Sequence, residues 1–227
     1  MKKTLAIALI ILSVFIIRCK KEETKESLSA CDQNLYNICN GNGNGDYCTF
    51  GYKWGKNNPF ANAGLEKPGP ASGQVQVSYK FQDAGLVFST HSQNSLTSQS
   101  FDMLPTCTKQ KVREAFASWG AVADISFVEK ASNETSDIKI IAANIIQGGI
   151  GYPPFSESPC AELAGMVVLN ANLTYTCDGM YALSVHEIGH TLGLGHVKSN
   201  NVMNPDKSYQ ALQFGDIKGI QSIYGKK

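Results

Sequence analysis

Charge of either sign is balanced almost to nothing: 20 Lys and Arg against 19 Asp and Glu leave a net charge of +1 over 227 residues. So small a surplus makes no field to attract nucleic acid or an acidic membrane, and no nucleic-acid partner is expected. Long apolar runs are also missing. The run from Leu5 to Ile17, behind Lys2 and Lys3, has the length of the apolar region of an export signal and is too short to span a bilayer comfortably. Histidine is scarce: the chain has four, and three of them fall between residues 186 and 196. What remains is an apolar fraction of 43%, enough for one ordinary domain with a proper core.

The histidine-rich stretch reads HEIGHTLGLGH. His186 and His190 have the helical i, i+4 spacing, which stacks both imidazoles on one face toward a single metal ion. Glu187 is turned about 100° from His186, beside such a metal rather than on it, where a general base for an activated water belongs. Gly193 can take a positive φ at little steric cost, so the helix can end there and the chain can turn back to deliver His196 as a third ligand. Three neutral nitrogen ligands with a fourth position open describe a catalytic zinc site. An amphipathic core helix with incidental histidines would explain a bare HExxH, but not a glycine and a further histidine at fixed offsets as well.

The leader, residues 1–18, ends in Ile16-Ile17-Arg18 before Cys19 and a charged run from Lys20 to Glu26. This arrangement resembles a bacterial lipoprotein signal, in which the cysteine becomes the lipidated first residue. It departs from that pattern at Arg18, where a small residue is the rule. Two outcomes follow, a membrane lipid anchor at Cys19 or simple secretion, and both put the protein outside the cytoplasm. Of seven cysteines, Cys19 is the odd one out; Cys31, Cys39, Cys48, Cys107, Cys160 and Cys177 can form up to three disulfides in an oxidising location. The preferred pair is Cys160 with Cys177, whose short loop would contribute roughly 3 kcal/mol by chain entropy.

Residues 19–47 are polar and end in an Asn/Gly run, Asn40 to Asp46, so they read as a flexible tether; the EF-hand pattern that would make the run a calcium loop is missing. Residues 48–227 form the expected folded domain. Aromatic residues enter at Tyr47 to Trp54, and Glu66 to Gly73 is a Pro/Gly loop. Val75, Val77, Tyr79 and Phe81 alternate with polar residues, as in a half-buried strand. His91 lies in a Ser/Gln/Thr-rich stretch and reads as a surface residue. Thr108 is placed to cap a helix with core positions Val112, Ala115, Phe116 and Trp119, ended by Gly120. Ile125 to Glu129, Ile138 to Ala143 and Met166 to Leu169 are strand candidates. Gly148, Gly149 and Gly151, with Pro153 and Pro154, mark an irregular sheet edge near the site, to which an extended peptide could add by backbone pairing. The metal helix is expected to begin near Asp178, and a closing helix carries Ile217, Ile220, Ile223 and Tyr224 up to Gly225.

With HEIGHTLGLGH, Met203 seven residues past the third histidine, and the run Phe214 to Gly225, the chain resembles a metzincin zinc metalloprotease of the matrixin family, the catalytic domain of matrix metalloproteinases, in a bacterial lipoprotein form. The resemblance covers Val75 to Lys227 and is strongest toward the C-terminus. It implies an α+β, zincin-like domain: a twisted mixed sheet, a long helix, an active-site helix, and a C-terminal helix after a Met-turn at Met203 to which Asp216 ties. It also implies a monomeric zinc endopeptidase acting on protein or peptide substrates, with one catalytic Zn²⁺ on His186, His190 and His196 and Glu187 as the base. No histidine lies between residues 92 and 185, so the structural zinc of the animal members is expected to be absent, and no calcium loop is recognisable, which leaves calcium open. A full inhibitory propeptide is missing; Cys48 could imitate its cysteine switch, but a disulfide is the preferred role. The alternative function is a surface lipoprotein that uses the zinc-protease fold as a binding module or adhesin with little hydrolysis.

Overall fold

The computed structural model describes residues 28–31, 35, 38–39, 46–55 and 75–227. The leader, Cys19 and the loop from Glu66 to Gly73 lie outside the described residues.

A five-stranded sheet is the frame. In chain order its strands are β3 (Val75–Phe81), β6 (Ile125–Glu129), β7 (Ile138–Ala143), β8 (Gly149–Gly151) and β9 (Met166–Asn170), arranged β6-β3-β7-β9-β8. The first four run parallel, and β8 closes the edge antiparallel to β9. A two-stranded ribbon, β4 (Val87–Phe88) with β5 (Leu96–Thr97), and a three-stranded sheet accompany it. The latter sets β10 (Leu194–Val197) between β1 (Ile38–Cys39) and β2 (Cys48–Thr49). Among the described residues three long helices, α1 (Thr108–Val122), α2 (Cys177–Thr191) and α3 (Phe214–Tyr224), complete the mixed α+β fold expected from the pattern.

The strands are held by the period-two rule. On β7, Ile138, Ile140 and Ala142 join the core shared with the helices, while Ile141 and Ala143 face a second apolar cluster with Ile150, Tyr152 and Phe155. Both faces of β7 and β9 are covered, which is why these segments read as continuous apolar runs rather than alternations. β3 has its helix-facing residues Val77, Tyr79 and Phe81 buried, with the intervening residues partly exposed. All four expected core positions of α1 are buried. At its centre Trp119 is fully enclosed and its indole N–H donates to the Val185 carbonyl of α2 at 3.0 Å, locking the two helices in register.

Several expectations are corrected. Gly120 does not end α1, which runs to Val122; its lack of a side chain instead lets Phe127 and the Ile125 carbonyl of β6 approach the helix. Thr108 is the first helical residue rather than the cap, and Cys107 precedes it without a side-chain capping bond. Cys160 does not pair with Cys177. The disulfides are Cys31–Cys160 and Cys107–Cys177, because Cys160 opens a short turn on the side away from the helices whereas Cys177 starts α2 beside the first residue of α1. Cys48 is also disulfide-bonded, which removes it as a thiolate switch. The span expected to be a tether through residue 47 is docked in part: Leu28–Cys31 forms a 3-10 turn, Cys31 and Leu35 are buried, and β1 is paired. Those apolar residues find a surface only in the folded domain, which a local composition reading does not see. His91 is likewise buried rather than on the surface, since the enclosed Tyr152 hydroxyl needs a partner and lies 2.8 Å from His91 Nδ1.

Trp119→Ala should cost about 3–5 kcal/mol of stability by removing this central wedge and its hydrogen bond. Urea unfolding measures it, and a loss below about 1 kcal/mol would show that the α1–α2 contact is not the centre of the core.

Candidate metal centre

α2 begins one residue before the expected Asp178. Thr176 caps it, its hydroxyl accepting from the Gly179 N–H at 3.0 Å, and Asp178 sits in the first turn. The helix carries His186, Glu187 and His190 and stops at Thr191. Gly193 then takes φ +101°, and a Cβ there would strike the Tyr52 carbonyl, so glycine is needed both for the turn and for the close approach. Two residues into β10 the chain reaches His196.

The three rings converge. The Nε2 atoms of His186 and His190 are 3.1 Å apart, those of His186 and His196 3.1 Å, and those of His190 and His196 3.0 Å. Each ring is aimed from its far side by a backbone carbonyl. His186 Nδ1 is 2.7 Å from Val202 O, His190 Nδ1 is 2.8 Å from Leu194 O, and His196 bonds the Leu35 backbone. A neutral imidazole has one N–H, and here each is spent on Nδ1, so three Nε2 lone pairs face one another. A cation among them resolves that repulsion. Four-coordinate zinc with nitrogen ligands at about 2.0–2.1 Å would set them roughly 3.3 Å apart, close to what is seen, so the residues fit the ion. Burial, the largest cause, holds all three imidazoles below their usual range, His196 at about 4, keeping them neutral as metal ligands must be. Among the described residues this is the one group of three or more metal-capable side chains.

Glu187 lies beside the triad and is 6% exposed. Burial pushes its carboxyl up to about 8, opposed by a hydrogen bond from the Gly151 backbone. The two glycines of β8 make this possible: a Cβ at Gly151 would meet the Glu187 carbonyl, and one at Gly149 would meet the Glu187 side chain and Leu183. The expected sheet edge is therefore at the site, as a short strand rather than an irregular stretch. Glu187, the triad, Leu183 and Tyr209 line one cleft of about 550 Å³.

Beneath the triad, Met203 is buried with its sulfur against Gly189 of α2. Asp216 holds the turn: its carboxylate accepts from the backbone N–H groups of Val202 at 2.8 Å, Met203 at 3.3 Å and Gln213 at 2.8 Å. Since Val202 also supplies the carbonyl for His186, α3 is tied to the first histidine through a single residue. The structure brings the three histidines, Glu187, Met203 and Asp216 into one region, and the sequence carries no sign of the carbonyls of Val202, Leu194 and Leu35. Backbone acceptors leave no mark on residue identity.

The family model described as Matrixin matches residues 88–225. The chain belongs to the matrixin family. It is similar to metalloendoproteinase 4-MMP of Arabidopsis thaliana, 30% identical over 54% of this chain and 42% of that protein. It is similar too to metalloendoproteinase 1 of Glycine max, 31% identical over 52% of this chain and 45% of that protein. Human matrix metalloproteinase-27 matches at 28% identity over 55% of this chain and 28% of its own length. The chain thus spans less than half of each of these relatives.

Asp216→Ala should strand three backbone donors and cost about 3 kcal/mol. Thermal unfolding should show the loss, and an unchanged midpoint would mean that the Met-turn is held by other contacts.

Proposed function

We propose that this protein is a zinc-dependent endopeptidase working outside the cytoplasm, with one catalytic ion held by His186, His190 and His196. The observation that carries the reading is the triangle of Nε2 atoms 3.0–3.1 Å apart with Glu187 buried beside it. Zinc in such a site supplies Lewis acidity toward a peptide carbonyl and toward water.

The chain's own groups do the rest. Glu187, enclosed beside the triad, takes the proton of the attacking water and passes it to the leaving amine. The outer edge of β8 pairs with an extended substrate backbone, while the glycines keep that strand against Glu187, so the peptide is laid down beside the base. The Nδ1-to-carbonyl bonds keep the three rings from turning as charge develops nearby.

Disulfides fit an exported protein. The leader over residues 1–18 would direct export and a lipid on Cys19 would then hold the domain at a membrane surface, with proteins or peptides as substrates and a monomer as the working unit. A binder or adhesin has no use for a carboxylate buried against the triad, and nothing at the site favours that alternative.

Glu187→Ala should retain zinc and lose activity on a denatured protein by orders of magnitude, whereas His190→Ala should lose the metal itself. Zinc content and proteolysis with and without chelator are the measurements. Full activity in Glu187→Ala would refute the base, and chelator-resistant proteolysis would refute the metal.

A further inference from the structure

Two of the three histidines take their Nδ1 acceptor from chain close by: Leu194 follows His190 in the same turn, and Val202 follows the motif. His196 does not. Its acceptor is the backbone of Leu35, far upstream and outside the residues 88–225 that match the family. The same N-terminal chain is also paired to the strand that carries His196. β1 pairs in parallel with β10, with Ile38 opposite His196 and Cys39 opposite Val197. Leu35 is 5% exposed and lines the cleft that His196 and Glu187 also line.

Cys31 is bonded to Cys160 and buried in the apolar cluster that also contains Leu35, Phe50 and Phe155. The other edge of β10 is occupied by β2, so the strand carrying the third histidine lies between two pieces of N-terminal chain.

We propose that the N-terminal chain at Leu35 and at β1, stapled by Cys31–Cys160, is a positioning element of the metal centre that fixes the ring of His196 and thereby sets metal affinity. His186 and His190 share a rigid helix and are pre-aimed by it. His196 sits on a short strand after a glycine turn, so its ring orientation depends on the partner of its Nδ1–H. That partner is backbone, so no side-chain substitution at Leu35 removes it; releasing the segment does. Groups that orient a metal ligand in this way are worth about 10–100-fold in metal affinity.

The inference rests on the reading of the triad as a zinc site. The test compares full-length chain with Cys31→Ser/Cys160→Ser and, as a comparator that also loses a disulfide, Cys107→Ser/Cys177→Ser. Zinc affinity is read by chelator competition, ring geometry by the visible spectrum of the Co²⁺-substituted protein, and folding by helical circular dichroism. The first variant should keep its helical signal, bind zinc about tenfold or more weakly, and show an altered Co²⁺ spectrum. The comparator should melt earlier while its zinc affinity stays within about threefold of the parent. Should the first variant lose its helical signal, Leu35→Gly loosens the same segment with every disulfide intact and carries the same expectation. Unchanged zinc affinity and Co²⁺ spectrum in a folded variant overturn the positioning role alone; a parent chain that binds no zinc overturns the zinc reading itself.

Discussion

Three imidazole lone pairs held within 3.1 Å of one another are the constraint around which the molecule is arranged. Left to themselves such groups would turn away or protonate, and protonation is disfavoured by burial, His190 and His196 being buried and His186 partly so. Each ring is instead fixed by a carbonyl behind it, and each carbonyl belongs to a different piece of structure. Leu194 opens β10, Val202 is in the turn held by Asp216, and Leu35 is in the N-terminal segment. The sheet and the α1–α2 packing therefore serve the site indirectly, by keeping α2 rigid while three flanking segments aim the rings.

The same economy explains the glycines. Gly151 and Gly149 let an edge strand lie against Glu187, and Gly189 leaves room for the Met203 sulfur below the helix. The result is a carboxylate enclosed from two sides yet open to one cleft.

Much of this was legible in the sequence because it is periodic or local. The strands from Ile125, Ile138 and Met166 and the apolar face of α1 follow from spacing, and HEIGHTLGLGH encodes helix, turn and ligand in one run. The errors have a common cause. Cys160 and Cys177 are near in sequence but lie on different sides of the fold, so proximity along the chain favoured the wrong disulfide. Cys31 and Leu35 fall in a stretch that reads as a polar tether because most of the apolar cluster they join, Phe155 among it, comes from more than a hundred positions later. His91 was misjudged for the same reason, its partner being Tyr152. Contacts made across the fold, and acceptors on the backbone, leave no signature in residue identity.

The central claim is that three imidazoles and no sulfur bind the metal. Zinc-edge X-ray absorption on the metal-loaded full chain tests it most directly. The account predicts three imidazole nitrogens and one further light atom at about 2.0–2.1 Å. A sulfur shell near 2.3 Å, or a spectrum fitted by fewer than three imidazoles, would contradict it.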